Sequence, residues 1–190
     1  MTTGKIIIIT APSGAGKTSI THHLLAHFPQ LAFSVSATTR HARPTEQHGH
    51  DYYFISEADF KHKIAENEFL EWEMVYEGKY YGTLKSEIDR LWVQGKVPVL
   101  DIDVKGAIHV QNQLEEGHTL SIFIEAPSVE VLRNRLQSRG TETPETLATR
   151  LNKAAYELSF KDSFDVEIMN DILPQAQARA VEVVAAFLQA

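Results

Sequence analysis

With 190 residues, 43% of them hydrophobic and 23% charged, the chain has the make-up of one globular domain with room for small inserts, not of a disordered, fibrous or two-domain protein. A formal net charge of -7 offers no global positive field to a nucleic-acid backbone or an anionic membrane, so any phosphate has to be held by a local cluster of cations. The absence of cysteine excludes disulfides and thiolate chemistry and suits a reducing cytoplasm.

Lys5 to Thr10 is a β-branched run stopped by Pro12 and Gly14, the pattern of a strand buried on both faces. The apolar part, Ile6 to Ile9, is too short for a signal-peptide core, and no later stretch reaches membrane-spanning length. Residues 11 to 18 read A-P-S-G-A-G-K-T, and Thr18 to Phe28 then places Ile20, Leu24, Leu25 and Phe28 at helical spacing before Pro29. Strand, glycine turn and helix in this order make a phosphate-loop (P-loop) motif. Gly14 and Gly16 let main-chain N–H groups curl inward as an anion nest at a helix start. Lys17 reaches the β and γ phosphates of ATP, and the Thr18 hydroxyl is placed for Mg2+. Ala11, Pro12, Ser13, Gly14, Ala15, Gly16, Lys17 and Thr18 are thus the expected ATP cradle. Ala11 replaces the motif's first glycine, which is unstrained if its φ stays negative.

Between residues 36 and 83 the texture changes to a polar loop rich in Arg, His and Gly, followed by short aromatic strands at Tyr52 to Ile55 and Phe69 to Met74. This reads as an inserted lobe. Val97 to Ile102 (strand), Val104 to Leu114 (helix), Leu120 to Ile124 (strand) and Ser128 to Gln137 (helix) restore the alternation that implies right-handed crossovers and a parallel sheet. Val99 to Asp103 ends in acids at a strand's carboxyl edge; Asp101 reads as a Mg2+ ligand through water, with capping of the next helix by Asp101 or Asp103 as the alternative. Arg133 to Arg150 is a polar, arginine-rich flap in which Thr143 N-caps a helix and Pro144 enters its first turn. Arg135 and Arg139, four apart, point to an anion. A strand at Val166 to Met169 and a helix at Gln175 to Gln189 close the chain. The fold class is α/β: a P-loop three-layer α/β/α core (1–35 and 84–190) with a parallel central sheet, an inserted lobe (36–83) and a helical lid at about 128–158.

Beyond the P-loop and L-D-I-D (100–103), which are generic, the chain resembles guanylate kinases through S-V-S-A-T-T-R-H-A-R-P (34–44), G-H-D-Y-Y-F (49–54), E-F-L-E-W (68–72), Y-Y-G-T (80–83), R-G-T-E-T (139–143) and M-N-D (169–171). The resemblance covers almost the whole length and implies ATP-dependent phosphorylation of GMP with Mg2+, the inserted lobe binding GMP. Arg40, Arg43, Tyr52 and Tyr81 correspond to the clamp on the GMP phosphate, a role that suits bidentate guanidinium forks. Ser36, Glu71, Thr83 and Asp103 correspond to the base readers: guanine offers two donors, N1–H and the N2 amine, to a carboxylate, whereas adenine presents an acceptor at N1. Lys17, Arg135, Arg139 and Arg150 correspond to the groups that stabilise the phosphoryl in flight. Asn170 and Asp171 correspond to contacts on the adenine side. Thr45 departs from the family's usual glycine, and the Met74 to Lys79 loop reads as a residue longer than in some relatives.

Taken without the resemblance, Arg40 and Arg43 read as solvated surface cations, and the nine histidines, among them His22, His23, His48 and His50, as exposed residues rather than metal ligands. Trp72 and Trp92 read as packing residues. Tyr52 and Tyr53 point to opposite faces of a strand, so one at most reaches a ligand. Two functions compete with this reading: a sugar-phosphate kinase, which needs no reader such as Glu71, and a non-catalytic guanylate-kinase-like module that binds phosphopeptides, in which the P-loop and lid arginines are lost. ATP and GMP are the expected partners, without nucleic acid or membrane, as a monomer or homodimer; an apolar C-terminal helix suits either a dimer face or core burial.

Overall fold

The computed structural model of the chain describes residues 4–114, 117–138 and 143–190, save the side chain of Tyr76. Strand β1 (Ile6–Thr10) is buried throughout, and the two-residue period of a strand sorts its isoleucines. Ile7 and Ile9 enter a core shared with α1 (Lys17–His27), α5 (Val129–Ser138), α6 (Pro144–Leu158) and α7 (Leu173–Gln189). Ile6 and Ile8 enter another with α3 (Lys85–Val93) and α4 (Val104–Gln111). Two cores on opposite faces of one sheet make the three layers.

That sheet runs β2 (Leu31–Phe33), β7 (Val97–Asp101), β1, β8 (Thr119–Glu125), β9 (Val166–Met169), every pair parallel. The strand order turns at β1, where ligands gather at the carboxyl edge of such sheets. The apolar stripe of α7, Ala176, Ala180, Val183 and Val184, belongs to the core, which explains its composition.

A second, mixed sheet has the order β4 (Tyr53–Phe54), β3 (Ala37–Thr38), β6 (Lys79–Leu84), β5 (Phe69–Tyr76). With α2 (Glu57–Ala65) it encloses a small core of Ala37, Phe60, Phe69 and Leu84, in which the Phe60 and Phe69 rings stack at 4.3 Å. It is tied to the central layers by Leu70 of β5, buried in the core of Ile6 and Ile8, and by Glu87 of α3, only 2% exposed. The carboxylate accepts the Val35 N–H (3.1 Å), the Tyr53 hydroxyl (2.9 Å) and a fork from Arg90 (2.8 and 2.9 Å).

Several local expectations are corrected. The stretch from Met74 is hairpin, not loop: β5 continues to Tyr76 and turns at Glu77 and Gly78, the glycine at φ 68°. The strand expected over 52–55 is only Tyr53–Phe54, and the helix expected over 104–114 stops at Gln111. Trp92 packs and donates its indole N–H to the Lys5 carbonyl at 3.1 Å, but Trp72 is 45% exposed. β5 is an edge strand, and the face carrying Trp72 and Met74 is left uncovered. His23 and His118 are half-buried rather than exposed. β2, β3, β6, α2 and α3 had no sequence expectation, since two or three residues are too few for alternation to show in β2 and β3.

Candidate active site

After β1 the chain tightens, the Ala15 N–H donating to the Pro12 carbonyl at 3.1 Å, with Gly14 at φ 92° and Gly16 at φ 99°. Both angles are left-handed and favour glycine. Among the described residues Asn67 alone of the non-glycines has positive φ, so Ala11 is unstrained in the place of the motif's first glycine. α1 then starts at Lys17 with Gly16 as its cap and no side-chain cap, which leaves the first-turn N–H groups and the positive helix end to an anion.

The loop is braced from behind. The Asn170 amide donates to the Ala15 carbonyl (2.7 Å), the Asn170 N–H to Glu125 O (2.7 Å), and Arg135 Nη2 to the Asn170 carbonyl (2.8 Å). A Cβ on Gly16 would overlap the Asn170 amide nitrogen, so close approach as well as φ demands glycine there. From α6, Arg150 Nη1 donates to Ser13 Oγ at 3.0 Å. A groove runs over this loop, lined by Ala11, Pro12, Ser13, Gly14, Gly16, Lys17, Thr18, Ser19, Asp103, Lys153 and Glu157.

A second groove opens beside it, between the two sheets. Ser36, Tyr52, Glu71, Tyr81, Asp101 and Asp103 line it together with Lys17 and Thr18. Lys17 Nζ is ion-paired with Asp101 at the end of β7. Asp103 is the acid that caps, its Oδ1 accepting the Gly106 N–H of α4 at 2.9 Å. Glu71 lies almost wholly out of water, at 5% exposure. Burial pushes its carboxyl up to about 7, Asp103 adds to the rise, and the Thr83 hydroxyl, donating to Oε1 at 2.6 Å, opposes it. Thr83 itself is buried behind Glu71. At the rim, Arg40 forks onto Glu46 (2.6 and 2.7 Å) and lies over the Tyr52 and Phe54 rings at 4.9 and 5.5 Å. The Arg40 fork, the Arg43 N–H at 2.8 Å and the charge of Arg43 pull the Glu46 carboxyl down to about 2. Of the two adjacent tyrosines, Tyr52 turns to the groove and Tyr53 to Glu87.

These two grooves, a P-loop and an inserted sheet with a buried carboxylate, are what comparison with known proteins has to match. The family profile described as guanylate kinase covers residues 3–187. The chain belongs to the guanylate kinase family. It is 47% identical to a Bacteroides fragilis guanylate kinase over 184 residues, spanning 97% of this chain and 90% of the relative, and 42% identical to one from Thermotoga maritima over 95% of this chain and 86% of that one. Among solved structures, guanylate kinase from Anaplasma phagocytophilum superposes with a TM-score of 0.73 at 29% identity, over 96% of this chain and 85% of the other.

Within this guanylate kinase fold, some residues expected from sequence converge on the grooves and others do not. Ala15 is fully buried beneath the loop, Asn170 is buried as its brace, and Arg135 donates to that brace. Asp171 is exposed beyond it, and Arg43 stands at the surface. Arg139 lies outside the described residues. Sequence reasoning missed Asp51, Glu73, Lys153 and Glu157 as lining residues, Glu46 as the partner of Arg40, and Glu87 as the junction between the sheets. For α6 a signal existed: Arg150, Lys153 and Glu157 at i, i+3 and i+7 share one helix face. For Glu87 only the i,i+3 pair with Arg90 is local, while Val35 and Tyr53 meet it from 52 and 34 residues away; Glu46 meets Arg40 within an irregular loop, where no period marks a pair.

Proposed function

We infer that the chain transfers the γ-phosphoryl group of ATP to GMP, giving ADP and GDP, where the P-loop groove and the inter-sheet groove meet. What carries this reading is the junction itself: Lys17, Thr18 and Asp103 line both grooves, so a donor on one side and an acceptor on the other would meet end to end. Residues 11–18 hold the ATP phosphates through N–H groups and Lys17, which exchanges its ion pair with Asp101 for them. Asn170 and Asp171 border the adenine side. Glu71, ionised, accepts N1–H and the N2 amine of guanine, with Thr83 fixing its free rotation and Ser36 and Asp103 beside the base. Arg40, Arg43, Tyr52 and Tyr81 receive the GMP phosphate; Glu46 orients Arg40, whose guanidinium has five N–H donors and keeps some for the ligand.

The attacking oxygen of GMP is already anionic, so no general base is required, and positioning with electrostatic stabilisation does the catalysis. Arg135, Arg139 and Arg150 stabilise the charge in flight; Arg150 already touches the P-loop through Ser13. Thr18 and Asp101, an all-oxygen pair beside the phosphate cradle, fit Mg2+, which takes few protein ligands and completes its shell with phosphate and water. When bound, the ion neutralises phosphate charge. Among the described residues no helix is long and apolar enough to cross a membrane, and a cysteine-free chain acting on ATP and GMP suits the cytoplasm.

Coupled ADP release with GMP, dGMP, AMP, UMP and ribose phosphates as acceptors tests the reading. GMP is expected to lead by about 100-fold or more over AMP; equal turnover of the two would defeat the role of Glu71. Lys17→Ala is expected to lower kcat by about 100-fold or more while calorimetric GMP affinity largely survives, and loss of both together would assign Lys17 to the fold.

A further inference from the structure

Lys153 has no role in the scheme above, yet it is the one residue that joins Lys17, Thr18 and Asp103 in lining both grooves. Among the described residues it is also the only one from α6 to reach the inter-sheet groove. On the helix face it shares with Arg150 and Glu157, Arg150 is anchored on Ser13 at 3.0 Å, while Glu157, 6% exposed, holds the Lys153 ammonium at 3.7 Å. The lysine side chain itself is half exposed. A long, loose ion pair to a buried carboxylate parks the cation at the groove without saturating its three donors.

The charge around it is the second observation. Asp51, Glu71, Glu73, Asp101 and Asp103 line the inter-sheet groove, against two cations, Lys17 and Lys153, and Lys17 is paired with Asp101. Two anionic phosphates brought together here repel each other and these carboxylates, in a cleft where water screens less than in bulk. A positive charge is needed between them, and Arg150 is engaged on the donor side of the P-loop.

We propose that Lys153 is a further catalytic residue, its ammonium bridging the ATP γ-phosphate and the GMP phosphate as the phosphoryl passes between them. The assignment rests on the ATP:GMP reading. Lys153 moves no proton: the bond from a GMP phosphate oxygen to the γ-phosphorus forms, the bond from that phosphorus to the β,γ-bridging oxygen breaks, and the electron pair stays on ADP. A flexible stem with a point charge suits a group that must follow moving phosphates.

The test is steady-state kinetics and calorimetry on Lys153→Met, Lys153→Gln and Lys153→Arg. Expected for Met and Gln is a fall in kcat of about 30-fold, GMP affinity within about threefold, and about tenfold weaker binding of a bisubstrate probe, adenosine and guanosine joined by five phosphates. Arg is expected to restore most of kcat, and the thermal midpoint to move little in all three. Wild-type kcat in the Met and Gln variants overturns the proposal. So does parallel loss of kcat, GMP affinity and thermal midpoint without rescue by Arg, since that marks a packing role. A wild-type chain unable to phosphorylate GMP would overturn the reaction itself instead.

Discussion

In the proposed role Glu71 combines recognition of guanine with a stability cost in a single side chain. Its folded pKa, about 7, lies above the ordinary 4.5 because burial disfavours the charge. The bound proton therefore stabilises the empty protein; that contribution is whole below about 4.5 and disappears as pH rises through about 7. Guanine requires the opposite, ionised state, so GMP affinity is expected to fall below pH 7, by up to about tenfold per unit. Calorimetric titrations across that range check it. Glu71→Gln should lower kcat/KM for GMP about 100-fold, since it replaces one of the two acceptor oxygens by a donor. It should also flatten the pH dependence and raise the thermal midpoint of the empty protein at alkaline pH, where the wild type carries a buried charge. A midpoint that falls instead would show that Thr83 and the neighbouring main chain fully compensate that charge.

At the scale of elements, α6 brings Arg150 to the P-loop and carries a reciprocal cap at its start. Thr143 accepts the Thr146 N–H while Thr146 Oγ1 accepts the Thr143 N–H at 2.8 Å, and Pro144 fits the first turn. Leu151 and Ala154 are buried on one side, while Arg150 reaches Ser13 of the P-loop and Lys153 lines the grooves. Thr143→Ala should cost about 1 kcal/mol, visible as faster amide exchange through the first turn of α6. Because the proposed role of the α6 residues lies in transfer rather than in GMP capture, kcat is expected to fall more than GMP affinity. An equal loss of both would place α6 in acceptor binding. α1 is the counter-example: it has no side-chain cap, the arrangement that suits the proposed phosphate ligand at its start.

For the molecule as a whole, Glu87 is the polar junction between the two sheets. Burial pushes its carboxyl up, but the Arg90 fork, the Val35 N–H and the Tyr53 hydroxyl outweigh it, and the net shift is downward. Its contribution is thus present above the ordinary carboxyl value and is lost as pH falls through the lowered one. Glu87→Ala leaves the Val35 N–H and Tyr53 hydroxyl without their acceptor and should destabilise by about 2–4 kcal/mol; urea midpoints across acidic pH should show the wild type losing an advantage that the variant never has. A variant as stable as the wild type would show that the sheets are held by apolar packing alone. The P-loop, the strand–helix alternation of the core and the Thr143 cap were all legible in sequence, because each is a local rule: a two- or 3.6-residue period, a glycine spacing, a cap before a proline. The short strands β2 and β3 escaped, since two or three residues carry no period, and Trp72 misled because hydrophobicity does not tell an edge strand from a covered one. The sequence by itself determined that a glycine turn and a helix start follow the first strand and which residue types stand near them. Only the tertiary structure decided that Asn170 supports the P-loop from beneath and that Lys153 stands between the two grooves, because these depend on distances between segments far apart in the chain, which no local pattern encodes.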